Sequence, residues 1–142
     1  MIKKIVLGVA AASLVTFAAP AIAQDTPEEA RTTYELRFLD LAPGAEGRYL
    51  ELVEKYYFPA RAAAGLEPVN IHFLMTGEYD ILLPMVMPRG MSMFDAHSNP
   101  EGAAFNTAFV ELAGGEEEAQ KIRDEMSTLV RRVRSVYSHT HP

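Results

Sequence analysis

The sequence predicts an α+β domain of ferredoxin-like βαββαβ plan, a four-stranded antiparallel sheet with its helices on one face. Three observations predict it. Stretches near both ends of the domain alternate apolar and polar residues, as half-buried strands do. Two apolar stretches in the middle flank a turn that contains glycine, as in a β-hairpin. Amphipathic helical segments lie on either side of that hairpin.

The elements follow in order. "TYELRFLDL", Thr33 to Leu41, alternates: Tyr34, Leu36 and Phe38 fall on one side, Glu35 and Arg37 on the other, and "APG" ends the strand. From Ala45 to Tyr57, Tyr49, Leu52, Val53 and Tyr56 recur at helical spacing, with Glu46, Arg48, Glu51, Glu54 and Lys55 outward. Pro59 has no N–H to donate and should kink or restart this helix, and Gly65 should cap it. Val69 to Thr76 reads as the second strand, "TGEYD" as the turn, and Ile81 to Met87 as the third strand. Ser98-Asn99-Pro100-Glu101 supplies a capping side chain and a proline at the first helical position. Phe105, Ala108, Phe109 and Leu112 form that helix's apolar stripe, and Gly114-Gly115 ends it. "EEEAQKIRDEM" predicts a further helix whose acidic start suits the helix dipole. Val130 to Ser138, "VRRVRSVYS", closes the domain as a strand.

Ahead of the domain stands a targeting segment. "MIKK" is a basic n-region, "IVLGVAAASLVTFAA" an apolar h-region short for a bilayer, and "AIA" has the small residues a signal peptidase requires. Residues 1–23 therefore read as a secretory signal peptide, 24–32 as a flexible leader, and 33–142 as the domain. The expected address is exported, periplasmic or secreted, with no stable membrane anchor after cleavage. Loss of Lys3 and Lys4 takes the formal charge from −6 to −8, a poor match for nucleic acid. There is no cysteine, so stability must come from core or from oligomerisation.

Face assignment decides where a site would lie. The apolar set Tyr34, Leu36, Phe38, Val69, Ile71, Phe73, Met75, Ile81, Leu83 and Met85 is expected beneath the helices. Glu35, Arg37, Leu39, Asn70, His72, Leu74, Asp80, Leu82, Pro84 and Val86 would then face away, with arginines of the last strand. That second face is too apolar to meet water, and one helix layer cannot cover both faces. A second copy packed sheet to sheet about a two-fold axis would cover it and enclose a cavity. Pro84 should mark a bulge or break, since proline is unwelcome in a central strand.

"YELRFLDLAPG" (Tyr34 to Gly44), the Tyr- and Glu-rich helix after it, and "MTGEYDILL" (Met75 to Leu83) resemble the NIPSNAP-like branch of the dimeric α/β-barrel superfamily. The resemblance implies a ferredoxin-like subunit and a homodimer with a shared sheet-lined cavity. The superfamily includes cofactor-free oxygenases, haem enzymes and ring-modifying enzymes, so it selects neither an activity nor a cofactor.

The residues expected to line the inter-sheet cavity are Glu35, Arg37, His72, Asn70 and, from "RRVRS", Arg134. Three functions follow from them. The leading one is binding of a small, partly apolar molecule in that cavity. A second is a cofactor-independent oxygenase or isomerase, with His72 as catalytic base and Arg37 holding an anion. A third is a structural dimer without ligand, in which Glu35 and Arg37 pair across the sheet. Met85, Met87, Met91 and Met93 read either as an adaptable pocket lining or as core. His97 reads as a loop residue. His139 and His141 lie on a chain end, where two imidazoles make no metal site.

Overall fold

The computed structural model describes residues 32–140. The signal segment 1–23, nearly all of the leader and His141 lie outside the described residues. The elements are β1 (Thr33–Leu41), α1 (Glu46–Leu52), a π turn (Val53–Tyr57), α2 (Phe58–Ala63), β2 (His72–Phe73), β3 (Ile81–Met87), a 3-10 turn (Gly90–Phe94), α3 (Pro100–Ala113), α4 (Glu116–Leu129) and β4 (Val130–His139). One antiparallel sheet has the order β2-β3-β1-β4, the ferredoxin-like arrangement expected from the sequence.

The local signals act as their chemistry dictates. α1, the π turn and α2 form one continuous helix. The Phe58 N–H reaches back five residues to the Val53 carbonyl, and α2 then restarts around Pro59, which needs no amide partner near a helix start. Asn99 caps α3: its side chain accepts from the Gly102 N–H at 2.9 Å, and Pro100 follows at the first helical position. Gly114 ends α3 at φ 92°, a conformation that favours glycine.

Two expectations about strands are corrected. The second strand is two residues long, not eight, because it is an edge strand with only Leu82 and Ile81 as pairing partners. Pro84 carries no bulge; Leu36 pairs with it in an unbroken register from Thr33↔Met87 to Leu39↔Ile81. Since β2 begins only at His72, opposite Leu82, no strand flanks β3 at Pro84 on that side, so proline sits at a local edge where it is tolerated. The bulge lies instead between Asp40 and Leu41, where β1 meets β4.

The face assignment of β1 is reversed. The core under the helices consists of Leu39, Leu41, Ile81, Leu83 and Met85 from the sheet with Tyr49, Val53 and Val69. Alternation then brings Glu35 and Arg37 to the helix side and turns Tyr34, Leu36 and Phe38 to the open side. The physical reason lies at the strand's end. A core built on Tyr34, Leu36 and Phe38 would carry Asp40 into it, whereas the observed choice buries Leu39 and Leu41. Asp40, itself buried, is neutralised by Arg131 and Arg132 of β4.

Asp80 is a fastener of the sheet. Its carboxylate accepts from the Leu41 N–H at 2.7 Å, its own N–H donates to the Leu39 carbonyl at 2.9 Å, and its carbonyl accepts from Leu74 at 2.8 Å. The Asp80→Ala variant should lose about 1–2 kcal/mol in urea unfolding, because the N–H of buried Leu41 loses its acceptor. Asp80→Asn, which keeps an acceptor oxygen, should lose less. Equal stability of all three proteins would contradict the role.

Candidate functional site

The reversed parity of β1 moves the charged pair into a different cavity from the one expected. A cleft of about 380 Å³ lies on the helix side of the sheet. Its floor is Glu35 and Arg37 of β1 with Met85 and Met87 of β3. Tyr57 and Arg61 line it from the end of the first helix. Glu101 and Phe105 of α3 form another wall, and Met93, Phe94 and Tyr137 border it. Three methionines therefore line a cavity, the pocket role weighed for them above. A second, more open groove of about 430 Å³ borders Arg37 and Tyr57 on the side of α4.

The walls are held by specific contacts. Ala60 and Ala108 let α2 and α3 approach closely, with Phe109 and Ala119 packed alongside. The Phe105 ring meets Tyr57 edge-on at 5.1 Å between centroids. Arg89, after β3, forms a two-pronged ion pair with Glu101 in the first turn of α3, at 2.8 and 2.9 Å. The Arg89 guanidinium holds the Glu101 carboxyl below the usual carboxylate range. Phe94 meets Tyr137 edge-on at 5.0 Å and ties the 3-10 turn to β4.

Inside the cleft the polar groups are unevenly satisfied. The Glu35 carboxylate accepts from Arg37 at 2.9 and 3.2 Å and from the Ser135 hydroxyl at 2.7 Å, so this pair is largely self-contained. Tyr57 donates only to the Met85 sulfur, at 3.5 Å, a weak acceptor. Arg61 is 8% exposed; its Nη2 donates to the Glu67 carbonyl at 2.8 Å, and its buried Nε has no partner.

The chain shares the fold of NIPSNAP family proteins. A NIPSNAP family protein of unknown function from Agrobacterium tumefaciens superposes with a TM-score of 0.53 at 18% identity, over 80% of this chain and 91% of that one. A second from the same organism gives 0.52 at 13% identity, over 80% and 90%. An uncharacterized NIPSNAP-like domain protein from Burkholderia xenovorans gives 0.53 at 12% identity, over 78% and 86%. No protein-family model and no curated protein matches the sequence. At these identities the likeness establishes a fold, and no residue role passes from those proteins to this one.

The five residues expected to form one site are divided between places. Glu35 and Arg37 meet in the helix-side cleft. His72 is exposed on the short edge strand, and it pairs with Leu82 on the open face. Arg134 is exposed on the same open face, opposite Phe38. Asn70 precedes β2 in an irregular stretch and is exposed. Among the described residues no group of three His, Asp or Glu is placed to hold a metal ion, and no helix is long and apolar enough to cross a membrane.

Arg61, Tyr57 and Glu101 were not foreseen. In "FPARAAAG" Arg61 resembles any solvent-facing residue of a helix end. The usable signal was periodic: Arg61 follows Tyr57 by four residues, and Tyr57 follows Val53 by four, along a helix face that turns inward.

Tyr49 fills the core beside the cleft. Burial pushes its phenol up to about 12; the neighbouring Tyr57 adds to the rise and the Arg37 charge opposes it. Between pH 10 and 12 the folded chain keeps a proton that the unfolded chain releases, so stability should fall as pH rises through that window. The loss should reach about 2–3 kcal/mol. Urea unfolding of Tyr49→Phe across the same range should lack this component; parallel profiles for variant and parent would contradict it.

Proposed function

We propose that the chain is an exported homodimeric α/β-barrel protein that binds a small, partly apolar molecule. The binding place is the helix-side cleft of each subunit, and the open faces of two sheets form the interface. The observation that carries the reading is the cleft itself. It combines methionine and aromatic walls with a few convergent polar groups, at a size suited to a small ligand. A purely structural subunit would fill such a space with side chains.

The dimer rests on the opposite face. Tyr34, Leu36, Phe38, Leu82, Pro84, Val86 and Val136 share it, and the helices lie on the other side. Each is half-buried in the single subunit, and strand pairing makes them neighbours, so the apolar surface left over is continuous rather than scattered. A two-fold partner covers it with an identical surface and leaves both clefts outside the interface. Export rests on the amino-terminal segment and its cleavage box at Ala21–Ala23. The oxygenase or isomerase reading draws no support from His72, which stands on the far side of the sheet from Arg37 and Arg61.

Native mass spectrometry of the mature protein should give a dimer. Leu36→Glu places a carboxylate between Pro84 and Val136 at the middle of the open face and should weaken association by at least ~100-fold. His72→Ala should leave ligand retained in the cleft unchanged. A parent protein that is monomeric at micromolar concentration would overturn the dimer. Loss of retained ligand in His72→Ala would overturn the placement of the site.

A further inference from the structure

We propose, building on the cleft as the ligand site, that its ligand is a small organic monoanion whose carboxylate is received by Arg61. The inference comes from the charge inventory of the cleft. Glu35 is answered by Arg37, and Glu101 is answered by Arg89. Each of these pairs is neutral. Arg61 is left over: it is more than nine-tenths buried, its contacts are the Glu67 carbonyl and the face of the Tyr57 ring at 5.9 Å, and it has no carboxylate partner among the described residues.

A buried guanidinium without a counter-ion is costly, and so is the unpaired Nε–H on it. An incoming carboxylate removes the first cost by supplying the counter-ion on the Nη side of the guanidinium, where charge-assisted hydrogen bonds are strong. A neutral ligand supplies no counter-ion. The rest of the ligand meets Met85, Met93 and Phe105, so it is apolar, and flexible methionines tolerate a range of shapes. With the Glu35–Arg37 and Glu101–Arg89 pairs both neutral, Arg61 alone faces the ligand's charge, so a second negative charge on the ligand would lack a partner. The predicted class is therefore a monocarboxylate with an apolar or aromatic body.

The test uses 4-fluorophenylacetate and its neutral isostere 4-fluorophenylacetamide as probes, titrated into the mature protein and followed by fluorine NMR. The acid should bind at least tenfold more tightly than the amide. Arg61→Gln should lose at least tenfold in affinity for the acid while its affinity for the amide changes less than twofold. Arg61→Lys, which keeps the charge, should retain a preference for the acid and shows that the loss follows charge rather than folding. Equal binding of acid and amide by the parent protein would overturn the anion inference and leave the small-molecule reading standing. Binding of neither probe would overturn both. Undiminished acid binding by Arg61→Gln would remove Arg61 from the site.

Discussion

Strict alternation along β1 is the constraint on which the structure depends. A strand has two faces and no intermediate, so one decision at its end settles every side chain before it. Here Leu39 and Leu41 enter the core beneath α1, and Asp40 turns to the opposite face to meet Arg131 and Arg132. Glu35 and Arg37 follow Leu39 to the helix side. Tyr34, Leu36 and Phe38 are thereby committed to a sheet surface that no helix among the described residues covers. The charged cleft and the apolar open face are two results of one parity.

The helix layer converts that parity into a cavity. The core fills only the part of the sheet beneath Tyr49 and Val53, where Leu39, Ile81 and Leu83 lie. Farther along, the continuous helix passes through its π turn and presents Tyr57 and Arg61 above Glu35, Arg37 and Met85. π turns recur at functional sites because the inserted residue redirects the side chains that follow. α3 then closes the wall, held by alanine-mediated packing on α2 and by the Arg89–Glu101 pair. Among the described residues, Arg61 in this space has no carboxylate partner, and its surroundings are mostly apolar.

Much of the fold was legible because its signals are local. The bounds of β1 followed from period-two patterning, those of β3 from the turn residues on either side of an apolar run, and the start of α3 from Asn99 and Pro100. The failures are all matters of context. The length of β2 depends on how much of β3 it can pair with, and the tolerance of Pro84 depends on that length in turn. The parity of β1 was read from its most apolar triplet, although Asp40 at the end of that triplet argued for the other side. The site was half legible. Glu35 and Arg37 were identified as functional candidates but placed on the wrong face. Arg61 was invisible because burial at a helix end depends on residues distant in sequence, here Met85, Glu101 and Phe105, which line the same cleft. His72 was legible in orientation, turned away from the helices as expected, yet the cleft lies on the other side.

The parity of β1 can be measured directly because the chain contains no cysteine, so Leu36→Cys and Arg37→Cys each introduce a single thiol. Maleimide labelling rates should be taken for both variants across protein concentrations that span dimer dissociation. The account predicts that the thiol at 36 becomes slower to label as concentration rises, while the thiol at 37 reacts at a rate independent of concentration. The reverse pattern, with 37 protected by association and 36 indifferent to it, would place the two faces the other way round and contradict the account.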